Sequence, residues 1–235
     1  MERHILDTIP YTVDLDALAE RVRLRERQRR ALVAVAERAQ EIARPKAIYG
    51  LAYIDERGPE QLVIDSVTFK SRVLRVNLDG TERVFPYCVT CGAELERWHA
   101  EMDDILEQYW VEAIMEQALA AAIAHTMKTI DRRYHPGRTA TMGPGSLLDW
   151  PLREQRPLFE LLGDTEAAIG LRLTSSMLML PAKSVSGVRF PAEHSFASCM
   201  LCPRESCPNR RAPHDPELYQ KRYAVDAMLR EAERG

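Results

Sequence analysis

Five cysteines fall into two groups. Cys88 and Cys91 form a pair, and Cys199, Cys202 and Cys207 sit within nine residues near the C-terminal end. An odd number of grouped thiols argues against a disulfide framework and for metal binding or redox chemistry in a reducing compartment. Three thiolates spaced Cys-x-x-Cys-x-x-x-x-Cys can converge on one centre, but a tetrahedral zinc or a four-iron cluster (4Fe-4S) needs a fourth ligand. The Cys88-x-x-Cys91 pair would supply it, with Cys91, beside Gly92 at a predicted strand end, the preferred donor. Zinc would pin the C-terminal segment to the rest of the chain. An iron-sulfur centre, the favoured reading, would carry an electron. His194 and His214 flank the group and could replace a cysteine, although a polar loop role is the commoner use of such residues. His99, His125 and His135 show no partner pattern. No Ser-His-Asp arrangement, phosphate-cradling glycine loop or paired-carboxylate motif stands out, which leaves hydrolase chemistry a weak option.

The elements that must position these residues follow from periodicity. Residues 14–43 are good helix formers with apolar positions at helical spacing, ended by Pro45, and read as one long helix or two short ones. The arginine-rich part, Arg21 to Arg30, is diluted by Glu20 and Glu26, so a solvated face is favoured over an anionic partner surface. Segments 48–54, 61–69, 72–78 and 83–89 are rich in β-branched and aromatic residues and predict strands. Gly58-Pro59 and Asp79-Gly80 are turn signals, the second suggesting a hairpin. A long helix is predicted over 94–130 and an ordered Gly/Pro-rich loop over 134–151. A helix over 153–162 ends at Gly163; strands over 168–173 and 184–190 and a terminal helix over 217–234 complete the pattern.

With 235 residues and 46% hydrophobic content, the chain can bury a substantial core. No run approaches the roughly 20 apolar residues of a membrane span, and residues 1–12 lack the basic start and apolar stretch of a signal peptide. A cytoplasmic location with no membrane partner is therefore expected. A formal charge of -3 gives little reason to expect nucleic acid as a partner.

The stretch 143–190, GPGSLLDWPLREQRPLFELLGDTEAAIGLRLTSSMLMLPAKSVSGVRF, resembles the activation domain of vitamin B12-dependent methionine synthase. That family has a Pro-Gly-Tyr loop, a helix ending near Glu-Leu-Leu, then Gly-x-x-Leu-Thr-x-Ser, Met-x-Pro and Ser-Val-Ser-Gly. The matching pieces here are Pro144-Gly145-Ser146, Glu160-Leu161-Leu162, Gly170 to Ser176, Met179 to Pro181 and Ser184 to Gly187, in the same order. The resemblance implies an α+β fold, a twisted antiparallel sheet flanked by long helices, over 46–198. An N-terminal helical arm, 1–45, would precede it, and a cysteine-cluster segment with a C-terminal helix, 199–235, would follow.

The resemblance also implies an S-adenosylmethionine site in a groove around Gly143, Gly145 and Ser146, with Ser184, Ser186 and Gly187 from the neighbouring strand. Glycine in such a loop lets the backbone approach a ligand, and proline restricts the loop. The family's arginine before the loop is replaced by Thr141, so Arg138 becomes the candidate for the ligand carboxylate. The family's aromatic after the glycine is lost at Ser146, and a second aromatic corresponds to Phe196. An acidic residue from the preceding helix is placed at Glu116, with Glu112 as competitor. Ser184 to Gly187 could equally serve packing at a strand edge.

The function so implied is that of an accessory protein for the reductive methylation of cobalamin. It would bind S-adenosylmethionine, dock on a corrinoid-binding protein or methionine synthase that supplies the cobalamin, and receive an electron from a donor. The competing reading is a non-catalytic corrinoid-protein or methyltransferase binding subunit that has lost S-adenosylmethionine, favoured by Thr141 and Ser146. A zinc-stabilised module using the arginine-rich helix on nucleic acid is the weakest of the three.

Overall fold

The computed structural model describes residues 1–193, 196–207 and 210–224. In chain order the elements are β1 (Glu2–Leu6), α1 (Leu15–Arg21), α2 (Arg29–Ile42), β2 (Lys46–Arg57), β3 (Gln61–Ile64), β4 (Val67–Lys70), α3 (Arg72–Asn77) and β5 (Arg83–Thr90). There follow α4 (Ala93–Ala100), α5 (Ile105–Tyr134), β6 (Thr139–Met142), α6 (Gln155–Leu162), α7 (Thr165–Ile169), β7 (Arg172–Leu173), β8 (Met179–Leu180) and β9 (Ser184–Pro191). A π-helical turn, Tyr219–Tyr223, closes the described chain; the rest of the terminal helix expected over 217–234 lies outside the described residues.

The main sheet is antiparallel, in the order β4-β3-β2-β5-β9-β6, with β1 also paired to β2. The period-2 alternation of its strands separates two cores. Ile48 and Ile54 of β2 and Val84 and Cys88 of β5 face one cluster, which contains Leu74 of α3 and Leu158 and Leu162 of α6. Ala47, Tyr49, Phe85, Tyr87 and Val89 face the other, against Ala122 and Ile130 of α5. The mixture of helices and antiparallel sheet agrees with the expected fold class. Residues 1–45, expected as an arm, place β1 in the sheet and bury Leu18, Leu32, Val35 and Ala39 against Trp110, Val111 and Ile114 of α5.

Four segments differ from the sequence expectation. Segment 72–78 is helical: Ser71 caps α3 by accepting from Leu74 N at 3.0 Å, and Asp149 Oδ2 accepts from both Ser71 Oγ and Val73 N. Local capping outweighs the β-branched composition, and Asp79-Gly80 therefore joins a helix to β5. Segment 61–69 folds as a hairpin because Asp65 and Ser66, both at positive φ, form its turn. Segment 168–173 begins in α7, whose N-cap Asp164 accepts from Ala167 N and whose C-cap Gly170 is left-handed. The long helix over 94–130 is two helices, because Asp104 accepts from Leu106 N and Glu107 N and starts α5 anew.

Candidate ligand-binding cavity

Gly143 to Ser146 have the residues of a type II turn. Pro144 fixes the second position, Gly145 takes φ +83° at the third, and Ser146 N donates to Gly143 O at 3.3 Å. The turn is tied down by Gly145 N donating to Trp150 O at 2.8 Å. Ser146 Oγ donates to Gly143 O at 2.5 Å and lies 3.3 Å from Ser198 Oγ. The turn follows β6, the last strand of the sheet, whose neighbour β9 carries the Ser-Val-Ser-Gly sequence. At Gly187 a β-carbon would lie 2.5 Å from Met142 O and 2.8 Å from Tyr87 Oη. The glycine is therefore required for β6 and the tyrosine to approach β9 so closely.

Around this sheet edge lies a cavity of about 610 Å³, within the few-hundred to thousand cubic ångström range of small-molecule sites. Apolar walls come from Ile123 and Met127 of α5, Met179, Val185 and Phe196. Three lining residues carry buried polar atoms with no hydrogen-bond partner among the described residues: Gln155 Oε1, Ser186 Oγ and Arg189 Nε. Ser186 shares the sheet face of its register partner Cys88, whereas Arg189, three residues on, lies on the opposite face beside Asp131, so these buried atoms flank the free edge of β9 from both sides. Tyr87 stays a neutral phenol there, since burial pushes its pKa up to about 12 against the opposing pull of Arg211 and Arg189.

Of the residues expected at the site, Gly143, Ser146, Ser184, Ser186 and Phe196 line this cavity together, while Gly187 stands behind it in contact with Tyr87. Gly145 faces a second, more apolar groove of about 1100 Å³, which it shares with Cys202. The turn thus separates the two depressions, with Ser146 lining both. Arg138 does not line the main cavity; its Nη1 donates to Glu193 O at 3.1 Å and it faces a third depression, beside Asn77 and Thr81. Sequence reasoning missed Tyr87, Gln155, Arg189 and Arg211, all of which line the cavity. Of these, Arg189 had a legible signal: it lies two residues after Gly187 on the same strand.

Glu116 also lies outside the cavity lining. It bridges Arg21 Nη2 at 2.8 Å and Lys183 Nζ at 3.0 Å, tying α1 and the start of β9 to α5. The competitor Glu112 lies 3.8 Å from His99 Nε2. Burial opposes ionisation of Glu116, yet hydrogen bonds from Lys183 and Arg21 hold its carboxyl below the ordinary value. A depressed folded-state pKa contributes stability above the unfolded value, about 4.3, which is lost as pH falls through the folded one. Because the side chain is 42% exposed, Glu116→Gln should cost only about 0.2–1 kcal/mol at neutral pH. That difference should shrink as the pH drops below the ordinary glutamate value and vanish once it lies below the depressed folded-state one.

The cysteines separate physically. Cys88 is fully buried in the α3–α6 side of the core, opposite Ser186, and burial pushes its thiol up. Cys91 is buried with Leu95 and Trp110; burial, and then the nearby Glu96, push its thiol to about 12. Cys199, Cys202 and Cys207 are half-buried in a turn closed by Arg210. Its guanidinium donates to the carbonyls of Cys199 at 3.1 Å, Cys202 at 3.3 Å and Ala212 at 3.2 Å, and to Arg204 O. Among the described residues no three His, Cys, Asp or Glu side chains form a group that could hold a metal ion. The donors as folded, among the described residues, therefore do not form a set that fits a zinc or iron-sulfur centre. His214 lines the apolar groove, and His194 lies outside the described residues. Among the described residues, no helix is long and apolar enough to cross a membrane.

The family model for "Vitamin B12 dependent methionine synthase, activation domain" matches residues 126–197. These run from the second half of α5 through β6 and β9 to the segment bearing Phe196. Among the matching solved structures is the crystal structure of the MetH reactivation domain bound to AdoHcy. It shares 16% identity with this chain at a TM-score of 0.56, covering 79% of this chain and 70% of that one. At that identity the likeness is one of fold. No curated protein matches the sequence.

Proposed function

We propose that this relative of the vitamin B12-dependent methionine synthase activation domain binds S-adenosylmethionine in the cavity at the β6–β9 edge. There it would present the methyl group to a cobalamin carried by a separate corrinoid protein or methionine synthase module. The observation that carries the reading is that the Gly143–Ser146 turn, β6 and the Ser184–Gly187 run of β9, all within the stretch matched by the family model, border one cavity of about 610 Å³. S-adenosylmethionine is a matching ligand, with donors and acceptors on ribose and amino acid and apolar faces on adenine and the thioether arms.

In the reaction, the partner's cobalamin, reduced by one electron, attacks the methyl carbon. The carbon–sulfur bond breaks, a cobalt–carbon bond forms, and S-adenosylhomocysteine leaves. The sulfonium is already activated and the partner's cobalt is the nucleophile, so this chain has to position and desolvate rather than abstract a proton. Gly143 and Gly187 allow the backbones of the turn and of β9 to stand close together, and Ile123, Met127 and Val185 exclude water from that wall. The mouth of the cavity and the apolar groove that adjoins it at Ser146, with Leu148 fully exposed, would together receive the partner, so that its cobalt reaches the methyl carbon. No step passes through the cysteines, because their arrangement does not suit a metal centre; the electron comes from a separate donor.

The test mixes the protein with an oxidised corrinoid protein, a chemical reductant and S-adenosylmethionine, and follows the methylcobalamin absorption spectrum. Methylation that depends on this chain supports the reading. Binding of the corrinoid partner without methylation, and without affinity for S-adenosylhomocysteine, would favour a non-catalytic subunit instead, the reading suggested by Thr141 and Ser146.

A further inference from the structure

Two arginines that neither the cysteine pattern nor the loop motif singled out reach the same cavity from different elements. Arg189 on β9 is the register partner of Thr141 on β6, so it stands directly across the strand pair from the position at which the resemblance leads to an arginine being expected. Its side chain is 12% exposed, and its Nη2 donates to Asp131 Oδ1 at 2.7 Å. Its Nε–H is buried without a partner among the described residues, and the residue lines the cavity. Arg211 enters the lining from the cysteine-bearing turn. Its mount is firm: its own N–H donates to Cys199 Sγ at 3.4 Å, and the neighbouring Arg210 laces the turn through four carbonyls. Asp131 neutralises one of the two guanidinium charges and leaves the cavity wall with a net positive charge.

A guanidinium presents N–H donors in a planar fork that matches a carboxylate, and a second cation nearby adds charge complementarity. Resting on the reading of the cavity as an S-adenosylmethionine site, we infer that Arg189 and Arg211 together hold the ligand's amino-acid carboxylate. The subsite lost at Thr141 is thereby rebuilt from the adjacent strand and the C-terminal turn. The cysteine-bearing turn then has a role that needs no metal: it carries Arg211 to the cavity. It also makes the site selective for ligands that retain the carboxylate over the truncated thioether nucleoside.

The experiment is calorimetric titration of the full chain with S-adenosylhomocysteine and with 5′-methylthioadenosine, which lacks the amino-acid portion. Wild type is compared with Arg189→Gln, Arg211→Gln and Arg138→Gln. Each of the first two substitutions should weaken S-adenosylhomocysteine about tenfold to a hundredfold, the effect of a lost charge-assisted hydrogen bond. Methylthioadenosine affinity should stay within about twofold, since it never meets the pair. Arg211 is exposed, so its variant carries the test even if Arg189→Gln fails to fold. Unchanged S-adenosylhomocysteine affinity in both variants, or a loss confined to Arg138→Gln, overturns the assignment while leaving the cavity's function standing. Failure of wild type to bind either compound overturns the underlying reading and this assignment with it.

Discussion

Alanine at Gly187 is expected to abolish S-adenosylhomocysteine binding and to lower the melting temperature by roughly 2–12 °C, taking about 1–3 kcal/mol for overpacking and 2–4 °C per kcal/mol. The added methyl would stand 2.5 Å from Met142 O and 2.8 Å from Tyr87 Oη. The first contact is with backbone, so no rotamer change relieves it; β6 must move away from β9 and the Tyr87 ring must shift, which displaces two parts of the cavity lining. Gly80 provides the control. A β-carbon there meets nothing within 4 Å, and Gly80→Ala should leave binding intact with stability neutral or slightly raised. Thermal melts with calorimetric titration of both variants check the pair, and equal behaviour would contradict the close-approach argument.

Trp150→Ala should cost about 3–5 kcal/mol, a fall in melting temperature of roughly 6–20 °C for a chain of this size. Trp150 is fully buried, and its carbonyl receives Gly145 N at 2.8 Å, so its side chain fixes the closing end of the glycine turn to the core. The large loss should be specific to truncation. Trp150 Nε1 is buried without a partner among the described residues, and Trp150→Phe removes that uncompensated donor while retaining an aromatic ring. Phenylalanine is therefore expected to cost less than about half as much as alanine, the relieved polar group offsetting part of the lost volume. Denaturant titration separates the two, and equal losses would contradict the claim that a packed aromatic ring at this position holds the turn to the core.

Much of this was legible because the sequence speaks clearly where local chemistry decides. The alternation of β2, β5 and β9 and the Pro-Gly turn can be read directly, and the ordered pieces from Pro144 to Gly187 carried the resemblance. What was not legible depends on cross-chain geometry. Segment 72–78 reads as a strand until Asp149, far along the chain, is seen to complete its cap. Arg138 is the nearest arginine in sequence to the lost position, but an antiparallel pair brings Arg189 closer in space. Glu116 was placed from the resemblance, as the acidic residue of the preceding helix, and its ion pairs with Arg21 and Lys183 depend on how α1 and β9 pack on α5. The cysteines illustrate the same limit. Spacing suggested that Cys91 could join Cys199, Cys202 and Cys207, whereas the fold buries it with Leu95 and Trp110.

The central claim is that the β6–β9 cavity is where the adenosyl ligand resides, and a crystal structure of the chain with S-adenosylhomocysteine bound tests it most directly. The account predicts the nucleoside between the Gly143–Ser146 turn and β9, with Gln155 and Ser186 acquiring partners and the carboxylate against Arg189 and Arg211. Ligand density in the groove beside Leu148 and Cys202, or none at saturating concentration, would contradict it.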